Sequence, residues 1–337
     1  QNLECQGQQT PDGNDYMQVY RLVAKSRGDY ARPARRTSFW PRLTGIPGEA
    51  QLAAMADLWR RFSTDRIALV GLFVVGLMVT VAIGARWLAL FDPNEQFLDG
   101  LTLEGSPLPP SARFWFGTDT LGRDQLSRVL HGAGTSLLIG ILANGVAVLI
   151  GTLLGVTAGY LKGFVGAAIM RFTDLMMAFP ALLLGIALAA ILKPSLFIVA
   201  LVIALVNWVQ IARVVYTETL ALSEREFIEA ARALGARPAR ILVRHLLPHL
   251  LPTVLVYGTL GIATTVLFEA TLSFLGVGVQ PPTPSWGKMI FESQSYYLTA
   301  PWLVFIPGAA ILAVALGFNL VGDGLRDALD PTQRGRR

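Results

Sequence analysis

Apolar residues in this chain fall in long, nearly unbroken runs separated by shorter polar stretches. Runs close to the roughly twenty residues that cross a hydrocarbon core lie at Ile67 to Leu90, Leu137 to Tyr160, Ala167 to Leu192, Leu196 to Ala221, Thr253 to Leu275 and Trp302 to Val321. The pattern predicts an all-α, polytopic membrane protein with six transmembrane helices. Glycine and proline inside the runs do not argue against helices, because neighbouring membrane helices can satisfy the freed backbone groups.

One polar stretch between two of these runs has helical punctuation of its own. Ser223 with Glu226 three residues later reads as a capping box, and Gly235 stands where a helix ends in a left-handed cap. Phe227, Ile228, Ala231 and Leu234 share one stripe of the intervening helix. Pro238 fits the first turn of a second helix, whose length Pro248 and Pro252 are expected to limit. The whole reads as a compact helical elbow between spans.

Composition agrees with a lipid solvent. Hydrophobic residues make up 53% of the 337 and charged residues 15%, against about 25% charged in a soluble domain; the mean hydropathy is +0.50. Ten Lys and Arg precede Ile67, the elbow holds Arg225, Arg232, Arg237, Arg240 and Arg244, and the tail holds Arg326, Arg334, Arg336 and Arg337. These basic segments are expected in the cytoplasm. The segment after the first span is acidic, with Asp92, Glu95, Asp99, Glu104, Asp119 and Asp124, and is expected outside. Six crossings then leave both termini inside. Since topology accounts for the basic residues, the net charge of +5 does not point to nucleic acid.

Other features bound the chemistry. Residues 1–66 are expected to be a largely disordered cytoplasmic extension, ending in an interfacial helix near 52–62 whose stripe is Leu52, Met55, Ala56, Trp59 and Phe62. Gln1 suggests a natural start upstream, and the first span comes too late for a secretory signal. Cys5 is the only cysteine, so no intrachain disulfide is possible. His245 and His249 are one turn apart but have no acidic or thiol ligand with them, so no metal site is expected. No phosphate-binding loop, His-Glu-x-x-His or Gly-x-Ser-x-Gly pattern occurs.

The elbow spacing Glu229-Ala230-Ala231, Gly235, then Leu247-Pro248 resembles the coupling loop of binding-protein-dependent ABC importer permeases. His245 departs from the general motif, where Ile is usual, although Arg244-His245 before Leu-Pro resembles the peptide-transporting branch. Three further segments resemble the dipeptide, oligopeptide and nickel permeases: Phe116 to Asp124, Met170 to Pro180 and Leu272 to Gly287. So does the tail from Phe318 to Pro331. The resemblance spans about Leu58 to Pro331 and is to the C-type partner of a two-permease pair.

That resemblance implies a type I ABC importer permease (MetI-like) fold in a bacterial inner membrane. Its parts would be a first helix at 67–90, an external loop at 91–130, a permease core at 131–322 and a cytoplasmic tail at 323–337. Within the core, the coupling loop would be 222–250 and a second external loop 276–300. The implied partners are a B-type permease, two ATP-binding subunits or domains and an extracytoplasmic substrate-binding protein, with ATP and Mg held by the ATPase and no cofactor on this chain. The implied job is non-catalytic: half of a path for di- or oligopeptides, coupled to separate ATPases through Glu229, Ala230, Ala231, Gly235, His245, Leu247 and Pro248. Nickel chelates or glutathione are alternative cargoes, and a proton-coupled secondary transporter is the alternative from another class.

The remaining candidate residues are assigned on physical grounds. Gln280, Pro281, Pro282, Pro284 and Trp286 form a stretch that resists regular helix and is expected to gate the external mouth. Gly151, Gly155 and Gly159 make a smooth face for close helix packing, either within the bundle or at the seam between permeases. Pro180 is expected to kink the third span as a hinge. Asp174 and Arg213 are expected to pair or snorkel, while Glu269 either meets solute or serves as a structural hydrogen-bond acceptor.

Overall fold

The computed structural model describes residues 56–192 and 195–329. The expected disorder before residue 56 lies outside the described residues, as do Leu52 and Met55 of the expected interfacial stripe. Helix runs over 56–62, where Trp59 stacks on Phe62 and Phe62 packs against Ala68 and Ala328. Among the described residues the regular elements are helices, with two isolated β-bridges, Leu101 to Pro107 and Thr118 to Asp124.

The long helices begin where side chains cap them. α1 (Arg66–Leu88) starts at Asp65, whose carboxylate accepts from the Ile67 and Ala68 amides at 2.8 and 3.3 Å. α2 (Gln125–Leu161) starts at Asp124, which accepts from both the amide and the hydroxyl of Ser127. Gly117 and Gly122 have φ of +74° and +71° and make the tight turns before that cap. α5 (Leu196–Ser223) is capped by Ser195, and α10 (Trp302–Leu329) closes the described chain.

The third span departs from expectation. It is two helices, α3 (Gly163–Ala178) and α4 (Ala181–Ile191), bent by 89°. Phe179 is extended (φ −86°, ψ 133°), because the following proline ring crowds the helical conformation there, and Pro180 at ψ 120° restarts the chain in a new direction. At 1.5 Å per residue the two pieces are about 24 and 17 Å long, each short of a hydrocarbon core of about 30 Å. Among the described residues five helices are long and apolar enough to cross a membrane, and six if the bent pair is one span.

α2 runs through the middle of the bundle. Its Gly151, Gly155 and Gly159 lie against α5, where an added Cβ would come within 2.7 Å of the Trp208 carbonyl, 2.6 Å of the Ala212 carbonyl and 2.7 Å of the Thr219 Cβ. The glycine face is therefore a packing seam inside this chain, which decides between the two readings left open by its spacing. α1 meets α10 through another small-residue contact, with Gly71 facing Gly317 and Leu320. Outward faces of α1 and α10 expose Phe73, Ile83 and Phe305, as lipid-facing helices do.

Candidate functional site

The elbow is α6 (Glu226–Ala233) followed by α7 (Pro238–Ile241). Its start differs from the expected capping box. Ser223 is the last residue of α5 and its hydroxyl bonds back to the Leu220 carbonyl, so Arg225 precedes α6 without a side-chain cap. Glu226 and Glu229 in the first turn and Arg232 in the last complement the helix dipole instead. The end agrees with expectation. Gly235 has φ +74°, its amide bonds to the Arg232 carbonyl and that of Ala236 to Ala231, which is a complete Schellman pair.

Only part of the expected stripe faces the bundle. Ile228 and Ala231 are buried among α2, α5 and α8 (Leu247–Phe274), Phe227 stacks on His249 at 4.9 Å, and Leu234 is 88% exposed. Leu234 lies outward because it is already the C-cap, where the backbone leaves the helical turn. Arg232 sits over the Tyr160 ring at 5.2 Å, and Lys162 pairs with Glu224. The Lys162 ammonium donates to the Glu224 carboxyl and holds it below the usual carboxylate range. The first contact fastens α6 to the end of α2, and the second ties together the ends of α2 and α5. Glu229, Ala230 and Gly235 remain on the outer surface, while His245, Leu247 and Pro248 are half-buried.

The second half of the elbow also corrects the sequence reading. Pro248 and Pro252 do not end a short helix: α7 passes through a π-turn (Leu242–Leu246) into α8 (Leu247–Phe274), and both prolines lie inside the continuous rod. The Leu247 amide reaches back to the Leu242 carbonyl. This wider turn relieves the clash that a proline ring makes with the carbonyl four residues earlier. The elbow is thereby continuous with the fifth span. His249 Nδ1 hydrogen-bonds to the His245 carbonyl, and no group of metal-ligating side chains occurs among the described residues.

At the far end of the bundle, the proline-rich loop divides in two. Gln280 is half-buried and Pro281 and Pro282 are exposed, whereas Pro284, Ser285 and Trp286 are buried. Trp286 opens α9 (Trp286–Glu292), donates from its indole to the Val129 carbonyl at 3.0 Å and packs on Gly132. Glu269 is wholly buried beneath this loop, accepting from Ser136 at 3.1 Å and Ser273 at 2.7 Å. A carboxyl with no exposed surface serves as a hydrogen-bond acceptor in this conformation, in line with the second of its two readings. Sequence reasoning missed a cluster at the same end of the bundle, where Asp119, Arg123, Arg128 and Glu292 form four ion pairs of 2.6 to 3.2 Å across three segments. Asp119 and Arg123 stand in an acidic loop and Arg128 in the first turn of α2, and their partners are set only by folding.

Asp174 of α3 and Arg213 of α5 pair, as expected, and Asn207 of α5 bonds Thr265 of α8 at 3.3 Å. The part of the chain that builds the elbow and most of these helices is matched by a family model. It is described as binding-protein-dependent transport system inner membrane component and covers residues 151–335. The chain belongs to the binding-protein-dependent transport permeases. The first helix and its loop match a second model, the N-terminal TM domain of oligopeptide transport permease C, at residues 54–110.

Relatives of this permease resemble it along most of their length. It is 41% identical over 302 residues to the dipeptide transport system permease protein DppC of Alkalihalophilus pseudofirmus, covering 87% of this chain and 96% of the relative. It is 44% identical over 279 residues to the glutathione transport system permease protein GsiD of Escherichia coli O6:K15:H31, covering 83% and 91%. Among solved structures, an inward-facing MetNI methionine ABC transporter matches 60% of this permease and 96% of that chain, at 20% identity and a TM-score of 0.47.

Proposed function

We propose that this permease carries short peptides through a bacterial inner membrane as the C-type member of an ATP-driven importer, with α6 docked on a separate ATP-hydrolysing subunit. The observation that carries the coupling role is mechanical: the second helix of the elbow, one tight turn after α6, runs without a break into the fifth span, from Pro238 to Phe274. A push on the elbow therefore moves a whole transmembrane rod. Its outer surface, with Glu229, Ala230, Ala233 and the exposed Leu234, is free to meet a partner.

The basic residues of the elbow support a cytoplasmic position for that end and, with it, for both termini. A B-type permease completes the path, an extracytoplasmic binding protein delivers cargo, and two ATPase subunits or domains hold ATP and Mg. This chain itself is assigned no catalytic group and no cofactor. Gating at the outer mouth is assigned to the outer part of the far loop, the half-buried Gln280 with the exposed Pro281 and Pro282. Likeness to the dipeptide permease supports a peptide cargo; likeness to the glutathione permease favours a second reading, a γ-glutamyl tripeptide.

The test is uptake of labelled dipeptide by proteoliposomes holding the full complex. We expect accumulation that requires internal ATP, resists a protonophore and is not displaced by excess glutathione. Accumulation driven by a proton gradient without ATP would instead make this chain part of a secondary carrier. Displacement by glutathione at equal concentration would favour the tripeptide.

A further inference from the structure

α5 has a polar face inside an apolar helix. Asn207, Gln210, Arg213 and Thr217 follow one another at three- and four-residue steps, so they share one side of the rod. Gln210, Arg213 and Thr217 are exposed and Asn207 half-buried. Arg213 lies seventeen residues beyond Leu196 and ten before Ser223, about 25 and 15 Å from the two ends at 1.5 Å per residue. With α5 centred in a core of about 30 Å, that is inside the hydrocarbon layer.

Such a face is costly against lipid, and charged groups at that depth turn to a water-filled cavity or a partner. The lipid-facing sides of α1 and α10 look quite different, with Phe73, Ile83 and Phe305 at 69 to 73% exposure. The charges on the polar face are arranged in a particular way. Arg213 pairs with Asp174 on the broken span, and both side chains stay near 45% exposed. Arg171, on α3, lies 4.0 Å from the same carboxylate. Two guanidiniums around one carboxylate leave a net positive charge beside an exposed acid, which suits a molecule with one free carboxylate and one ammonium.

We propose that this face of α5 lines the solute path, and that the Arg213–Asp174 pair is a relay for the terminal charges of a zwitterionic peptide. The peptide carboxylate takes the place of Asp174 on Arg213, and its ammonium meets the released Asp174. The pair then re-forms behind the solute, so neither terminus crosses the low-dielectric layer without a counter-charge. The identity of the ligand rests on the peptide reading above; the lining role does not.

Two measurements on the full complex test the two parts separately. In a Cys5→Ser background, Gln210→Cys and Thr217→Cys should react with a hydrophilic methanethiosulfonate at least about tenfold faster than Phe305→Cys, because only a wetted thiol forms thiolate. Rates as low as that of Phe305→Cys would place the face against lipid or the partner permease and overturn the lining role. For the relay, Arg213→Gln should abolish dipeptide uptake. The double exchange Arg213→Asp with Asp174→Arg should restore complex yield but not uptake, since it inverts the charges met along the path. Recovery of uptake in the exchange would show a merely structural pair and overturn the relay. If the unaltered complex takes up no dipeptide, the peptide cargo and the relay fall together, while thiol reactivity still decides the lining role.

Discussion

At the scale of single residues, glycines separate packing from conformation. Gly235 has φ +74° and nothing within 4 Å of where a Cβ would stand. Gly235→Ala meets only the left-handed backbone penalty, about 1 kcal/mol. Gly235→Pro cannot adopt that φ and also loses the amide that bonds Arg232. We expect Gly235→Ala to keep most cargo-stimulated ATPase activity and Gly235→Pro to lose it with the complex still in the membrane; normal stimulation in Gly235→Pro would refute the need for this cap. Gly155 is the opposite case, since its Cβ would lie 2.6 Å from a backbone oxygen. Gly155→Leu should force α2 and α5 apart, beyond the roughly 1–3 kcal/mol of ordinary overpacking. Gly145→Leu, at an exposed position with open space around it, should not. Equal yields of purified complex from the two variants would contradict the seam.

At the scale of elements, α6 has two sides with separate jobs. Ile228 is wholly buried and fastens the helix to the bundle, while Glu229 next to it is exposed. Ile228→Asp buries an unpaired charge and should detach α6, lowering both the melting temperature and the ATPase response. Glu229→Arg touches only the outer surface, so stability should stay within about 0.5 kcal/mol while cargo-stimulated ATPase falls. A Glu229→Arg complex that melts normally and hydrolyses normally would remove this residue from the docking surface. The contrast depends on helix orientation, which the sequence left half-resolved: its apolar stripe predicted an inward Leu234, and the cap at Gly235 turns that side chain out.

At the scale of the whole molecule, three buried charges and the half-buried Glu292 join parts remote in sequence. Arg123 and Arg128 each reach Glu292 at 3.1 Å, and Asp119 holds both from the other side. The long loop before α2 is thus tied to α9 and, through Trp286 and Ser285, to the ground above Glu269. Removing one carboxylate leaves two guanidiniums sharing the other, and breaking a buried pair costs about 3–5 kcal/mol. We expect Glu292→Ala to lower the melting temperature of the complex and open the 91–124 loop to protease, with Glu292→Gln between it and the parent. Unchanged proteolysis in Glu292→Ala would show that the loop is held by its aromatic cluster of Phe91, Phe97 and Phe114 instead.

What the sequence determined by itself is local. Runs of apolar residues give the spans, Asp124 and Gly235 give helix ends, and the four-residue glycine spacing gives a close-packing face, because each rests on neighbours within a turn or two. Family motifs located the elbow for the same reason. The tertiary structure decided the rest. Pro180 predicted a kink, yet whether the chain bends slightly or by 89° depends on what packs on each half. Pro248 and Pro252 look like helix ends, but a π-turn and the surrounding bundle carry the helix through them. Glu269 and Asp174 are both single acids in apolar runs, and only long-range packing buries one among serines and leaves the other exposed beside Arg213. A side chain's neighbours across the bundle set its solvation, and those neighbours lie tens of residues away.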